Sequence, residues 1–168
     1  MAKGATLKRM VKVPTKATMN KVLTKPVTKA PRASYVLDEQ IGFILRQVWQ
    51  RHTNIFARDI GTNLTPTQWA ALSKLAETGP CSQNQLGRLT SMDVATIKGV
   101  IDRLTARGLT ETSQDPRDGR RLLISLTRAG QQLAEKTAPY AFAVSKETLA
   151  PLDARERETL LVLLNKLR

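Results

Sequence analysis

Between Thr65 and Leu126 the hydrophobic period of this 168-residue chain changes once, from the helical 3.6 to the strand period of 2. That single change limits what the chain can fold into. Before it come three helix signals. Thr65-Pro66-Thr67-Gln68 offers a capping hydroxyl, a proline suited to the first turn and a Gln three residues on, and Gly79-Pro80 closes the segment. Ser82, with Gln85 three residues on, repeats the opening signal for a short helix ending near Thr90. A third helix starts near Asp93, is expected to bury Val94, Ile97, Ile101 and Leu104, and stops at Gly108. After it, Leu109 to Thr112 reads as a short strand. Asp115-Pro116 and Asp118-Gly119 mark a turn, and Leu122, Ile124 and Leu126 alternate with Arg121, Leu123 and Ser125.

Longer helices flank this block. Leu37 to about Ile60 places Ile41, Leu45, Val48, Ile55 and Phe56 at helical spacing. Thr127 caps a further helix that Pro139 is expected to kink or interrupt. Asp153 with Glu156 forms a capping box for a last helix, whose stripe is Leu160, Leu163, Leu164 and Leu167. The expected fold is mainly α with a small β-hairpin wing: a winged helix-turn-helix with N- and C-terminal dimerisation helices. The expected layout is a basic disordered tail over 1–33 and one domain over 34–168. In that domain 34–62 and 127–168 would dimerise, and 63–126 would bind DNA. Leu149, Leu152 and the leucines from 160 to 167 are too apolar to face water on a small protomer, so a two-fold homodimer is expected.

Charge names the class of partner. Lys and Arg number 27 against 14 acids, a net +13, which favours a polyanion such as double-stranded DNA. Residues 1–33 hold nine of the bases and no acid. This Thr- and Pro-rich stretch has too little apolar surface to offset its ordering entropy. A solubilising leader, a DNA-tracking arm and a transit peptide all remain open for it. No aliphatic run is long enough to span a bilayer, and no apolar core follows the basic start, so a cytoplasmic protein without membrane contact is expected. One cysteine and one histidine leave no disulfide framework and no multi-histidine metal centre. There is no glycine-rich phosphate loop and no nucleophile motif, so an enzyme, and a cofactor, is not expected.

The wing Asp115-Pro116-Arg117-Asp118-Gly119-Arg120-Arg121, with the exit Ile124-Ser125-Leu126-Thr127-Arg128-Ala129-Gly130, resembles the signature of the MarR family. Ala95-Thr96-Ile97, Ile101-Asp102-Arg103-Leu104 and Arg107-Gly108-Leu109 resemble that family's recognition helix. The resemblance covers residues 35 to 168. It implies a homodimeric transcriptional regulator, usually a repressor, often controlled by a small aromatic or phenolic effector. Leu37 to Phe43 and Gly79 to Asn84 are similar to members that control aromatic-acid catabolism, nicotinate degradation among them. An architectural DNA-binding protein that needs no ligand is the alternative.

Candidate residues follow from this layout. The outer face of the recognition helix offers Ala95, Thr96, Lys98, Gly99 and Arg103 to the major groove. Members of the family commonly carry Arg where Gly99 stands, and Lys98 would take over part of that role. Arg103 with Asp102 reads equally as a helix-surface or intersubunit ion pair. The wing offers Arg117, Arg120 and Arg121 to the minor groove, with Asp118 steadying the hairpin. Ser82, Gln83 and Asn84 suit phosphate contacts or plain helix capping. For the effector, Arg46, Trp49, Arg51, His52, Phe56 and Trp69 supply a stacking wall and a cation. His52 reads equally as a core histidine. Cys81, at a helix N-terminus, reads as an inert thiol or as a redox sensor.

Overall fold

A computed structural model describes residues 34–168. The basic stretch over 1–33, with the three readings open for it, lies outside the described residues. After a 3-10 turn at Leu37–Glu39 the order is α1 (Ile41–Asp59), α2 (Pro66–Thr78), α3 (Gln83–Leu89), α4 (Val94–Ala106), β1 (Thr110–Asp115), β2 (Asp118–Leu126), α5 (Arg128–Thr148) and α6 (Ala154–Lys166). This is a winged helix-turn-helix between long terminal helices.

Local chemistry sets most boundaries. Thr65 Oγ1 accepts the N–H of Gln68 and the Gln68 side chain accepts the N–H of Thr65, the reciprocal box expected from the sequence. Asp153 and Glu156 do the same for α6. Asp93 caps α4 twice, taking the N–H and the hydroxyl of Thr96 at 2.8 and 2.7 Å. Thr127 caps α5 through the N–H of Gly130. Ser82 caps α3, but its box is not closed, because the Gln85 side chain is turned to the wing instead.

Four expectations are corrected. The first segment is not one helix from Leu37: the 3-10 turn precedes Gln40, and α1 begins at Ile41. Val94 is 67% exposed while Val100 is fully buried, so the apolar face of α4 is Ile97, Val100, Ile101 and Leu104. Asp93 sets the phase of that helix, and its first residue falls outside the core. Pro139 does not interrupt α5, which runs through it for 21 residues. Proline removes one N–H, but the buried Ala134, Thr137 and Val144 hold both halves against the protein. The wing strands are longer than expected, pairing from Thr110↔Leu126 to Asp115↔Asp118, and Leu122 at their far end is exposed.

Two apolar clusters result. The larger joins Leu72, Leu75, Leu86, Ile97, Val100, Leu104, Leu109 and Ile124 under the helix-turn-helix and the base of the wing. The smaller joins Ile55 and Phe56 of α1, and Ile60 just past its end, to Val144 of α5. Trp69 packs against both. Each fully buried Leu or Ile here contributes about 1.5–3 kcal/mol. Thr127 closes the base of the wing. Thr127 donates its N–H to the Leu109 carbonyl and its hydroxyl to the Gly108 carbonyl, at 3.1 and 2.7 Å. Gly130 lies so close to that Leu109 carbonyl that a Cβ there would overlap it.

Candidate nucleic-acid interface and effector site

The wing is shaped by two aspartates. Asp115 Oδ1 accepts the N–H of Arg117, and Asp118 Oδ1 accepts the N–H of Arg120, so each carboxylate folds the turn and points the next arginine outward. Arg117 and Arg120 are exposed. Arg121 leans back on α3, its guanidinium donating at 3.5 Å to Ser82 Oγ and 3.4 Å to Gln85 Oε1. A cleft of about 460 Å³ gathers Ser82, Gln83 and Asn84 with Asp102, Arg120 and Arg121. Arg117 lines a separate hollow of about 330 Å³ with Cys81, Gln85 and Arg121. The α3 start and two wing arginines thus share one cleft, and Arg121 lies between it and the hollow lined by Arg117.

On α4, Ala95, Thr96, Lys98 and Arg103 are exposed and Gly99 is partly covered. The Thr96 hydroxyl is held by Asp93, whose carboxyl its hydrogen bonds keep below the usual carboxylate range. Lys98 Nζ meets Asp102 Oδ2 at 2.7 Å across one turn. Asp102 therefore pairs with Lys98, not with the Arg103 beside it.

On α1, Trp49, His52 and Phe56 form a continuous aromatic array. The Trp49 and His52 rings stack with centroids 5.5 Å apart, and His52 meets Phe56 at 6.5 Å, tilted by 45°. Thr148 Oγ1 of α5 lies 2.9 Å from His52 Nδ1 and 2.8 Å from the Val144 carbonyl. With its one proton given to that carbonyl, the Thr148 hydroxyl accepts from the Nδ1–H of His52, an arrangement in which Nε2 is the acceptor of a neutral ring. Burial agrees with this, since it lowers the imidazole pKa. Trp69 touches Phe56's cluster from α2. Arg51 turns to the Glu147 carbonyl at 3.3 Å, and Arg46 is exposed. The six residues thus divide into an aromatic wall and two cations at its margin.

Sequence reasoning missed Thr148, 96 residues from its partner. Nothing local marks a helical Thr as a tautomer setter. Cys81 is buried at 3%, and burial pushes its thiol pKa up, with Arg121 pulling the other way more weakly. The helix N-terminus does not make this thiol reactive, because it is taken out of water. Among the described residues no cluster of three or more metal-type ligands occurs, and no helix is long and apolar enough to cross a membrane.

Residues 64–122 match the model of the MarR family. The chain is 37% identical to the HTH-type transcriptional repressor NicR of Pseudomonas putida, across 89% of this chain and 95% of NicR. The chain belongs to the MarR family. MarR proteins are transcriptional regulators, not enzymes, and the winged helix is their DNA-binding fold. Two solved MarR-type structures resemble the fold. A probable transcriptional regulator from Pseudomonas aeruginosa superposes with a TM-score of 0.77 at 59% identity, covering 79% of this chain and all of that one. Bordetella bronchiseptica BpsR superposes with a TM-score of 0.75 at 39% identity, over 79% of this chain and 96% of its own. Regulation of BpsR's DNA binding by 6-hydroxynicotinic acid is the subject of that structure.

Proposed function

We propose that this MarR protein is a cytoplasmic repressor that binds a pseudo-palindromic operator as a homodimer and responds to a small aromatic acid. One observation carries the effector part. The Trp49–His52–Phe56 array sits where α1 meets α5, and Trp69 joins it to the DNA-binding core. Such a wall suits a flat ring. The Nε2 acceptor of His52 suits a hydroxyl or ring N–H on that ring. Arg46 or Arg51 supplies the cation for a carboxylate; Arg51 gives one N–H to the Glu147 carbonyl and keeps its charge and its other donors. The similarity to BpsR, whose DNA binding is regulated by 6-hydroxynicotinic acid, supports this ligand class, and the similarity to NicR supports the repressor reading.

The dimer reading rests on apolar faces left open on the protomer. Ile41, Leu45, Val48, Phe142, Leu163 and Leu164 are exposed, and α6 buries none of its residues. Exposed apolar surface on this scale marks an association site. Two-fold pairing through α1, α5 and α6 would set two α4 helices about 34–36 Å apart, one turn of DNA. In each half, Ala95, Thr96, Lys98, Gly99 and Arg103 would face the major groove. Arg117 and Arg120 would reach the minor groove, with Asp118 holding the wing turn. Ser82, Gln83 and Asn84 would take phosphate at the α3 start, and Arg121 would brace the wing against them.

An effector changes operator affinity only by binding one spacing of the two lobes better than another. A hundredfold release needs about 2.7 kcal/mol of such coupling. The experiment is a fluorescence-anisotropy titration of operator DNA with and without 6-hydroxynicotinic acid, run on wild type and His52→Ala. The reading expects operator release from wild type and a blunted response in the variant, with DNA affinity alike in the ligand's absence. Equal responses would remove His52 from the effector site. Binding that is indifferent to sequence, with a steep salt slope, would favour the ligand-independent architectural reading.

A further inference from the structure

The two cations on the outer face of α4 are in different states. Helical geometry sets Ala95 and Gly99 on the ridge opposite the buried Ile97, Val100 and Leu104, with Lys98 and Arg103 to either side. Lys98 is committed to Asp102 at 2.7 Å. The Arg103 side chain has no hydrogen bond or ion pair among the described residues, its carbonyl alone accepting the N–H of Arg107. Its side chain runs back toward the start of the helix, the direction long helical side chains favour. The guanidinium comes to rest over Gly99. A Cβ on that glycine would lie 3.4 Å from Nη1, 3.7 Å from Nη2 and 3.8 Å from Cζ of Arg103. An alanine would just touch the guanidinium, and a longer side chain would take its place.

We infer that Arg103 is the guanine-reading residue of α4, and that Gly99 is the gap over which its guanidinium reaches the base edge. The inference rests on the reading of α4 as the major-groove helix. An arginine rooted at position 99 would project its guanidinium outward from this same ridge. Here the group arrives from one turn further on and is laid across the vacant position. Its N–H donors are unspent, and a planar fork matches guanine O6 and N7 in a bidentate pair. Lys98 shares its ammonium with Asp102 in an exposed pair, and that ammonium is a point charge without the fork. The small Ala95 and the bare Gly99 let base edges come close to the helix backbone. A phosphate contact by Arg103 is the competing role, and it makes a different prediction: weaker binding on every sequence alike.

The test begins with duplexes of about 30 base pairs selected from a random library by the full-length protein, long enough for two half-sites one turn apart. Each G·C pair of the selected core is then replaced singly by A·T, and each guanine by 7-deazaguanine, which lacks the N7 acceptor. Affinities are measured for wild type, Arg103→Ala, Arg103→Lys and Gly99→Leu, with circular dichroism melts to establish that each is folded. Wild type is expected to lose roughly tenfold at one G·C pair per half-site, by either replacement. Arg103→Ala and Gly99→Leu should be indifferent at that pair while still discriminating at other positions. Arg103→Lys keeps the charge and should also lose the preference. The inference is overturned if Arg103→Ala and Arg103→Lys keep the full penalty at every guanine, or if their loss is uniform across all duplexes. If the wild type selects no common sequence, the base-reading role of α4 fails first, and this inference with it.

Discussion

Gly130→Ala tests the geometry of the wing base. A Cβ at this position would overlap the Leu109 carbonyl oxygen and stand 3.0 Å from its carbon, so backbone must move. The shift is on the order of 1 Å in a packed interior, and overpacking of this kind costs about 1–3 kcal/mol. Moving the carbonyl also weakens the bond it accepts from the Thr127 N–H, at about 1 kcal/mol. Against these stands the better helix propensity of alanine, worth at most about 1 kcal/mol in the first turn of α5. The net expectation is a loss of about 1–3 kcal/mol. At roughly 2–4 °C per kcal/mol, the melting temperature falls by several degrees in a calorimetric scan. Gly42→Ala is the control, since nothing lies within 4 Å of its Cβ, and its melt should stay at wild type or rise by the propensity gain of at most about 1 kcal/mol. A Gly130→Ala protein that melts at or above wild type would refute the steric argument.

Further outcomes are expected. Arg120→Ala, on an exposed wing turn, should weaken operator binding by about 1–3 kcal/mol in a gel-shift titration, and unchanged affinity with an intact fold would take the wing out of the interface. Leu164→Asp puts a charge on the open apolar face of α6 and should convert the sedimenting species to a monomer with operator binding lost; a folded variant that still sediments as a dimer would overturn the assignment. His52 has a folded pKa below its ordinary 6.5, so the unfolded chain takes up the proton first as pH falls. Its contribution is complete above about pH 6.5 and declines as the pH drops toward the lowered value. The stability difference between wild type and His52→Gln should shrink over that range, and a difference independent of pH would contradict the neutral ring.

Caps were readable because a cap is a local device. Thr65 with Gln68 and Asp153 with Glu156 sit three residues apart in sequence and close the same bonds in the fold. The hairpin was readable because Asp115-Pro116 and Asp118-Gly119 bracket a turn between alternating residues. Val94 and Val100 were exchanged because both continue an apolar pattern, and only packing of α4 on α2 and α3 decides which one enters the core. Gln85 gave a capping-box signal that the wing's Arg121 overrides. The effector wall shows the same division. Trp49, His52 and Phe56 could be grouped from helical spacing, but the proton on the His52 ring is assigned by Thr148, at the far end of another helix. The face of α4 could be listed from the sequence, whereas the placement of Arg103 over Gly99 needed coordinates.

The position of Cys81 gives the wing a built-in gauge of local stability. The chain has a single thiol, and both backbone hydrogen bonds of that residue go to Ile124 in β2. A reagent in solution meets a residue that is only 3% exposed, at the back of the hollow it shares with Arg117 and Arg121, so the contact with β2 must loosen to admit it. When closing outpaces chemistry, the labelling rate is the intrinsic thiol rate multiplied by the open fraction, so it reads the free energy of local detachment. One unmodified protein and one colorimetric reagent then suffice to read what fraction of molecules has this contact open, and how far a bound operator lowers that fraction.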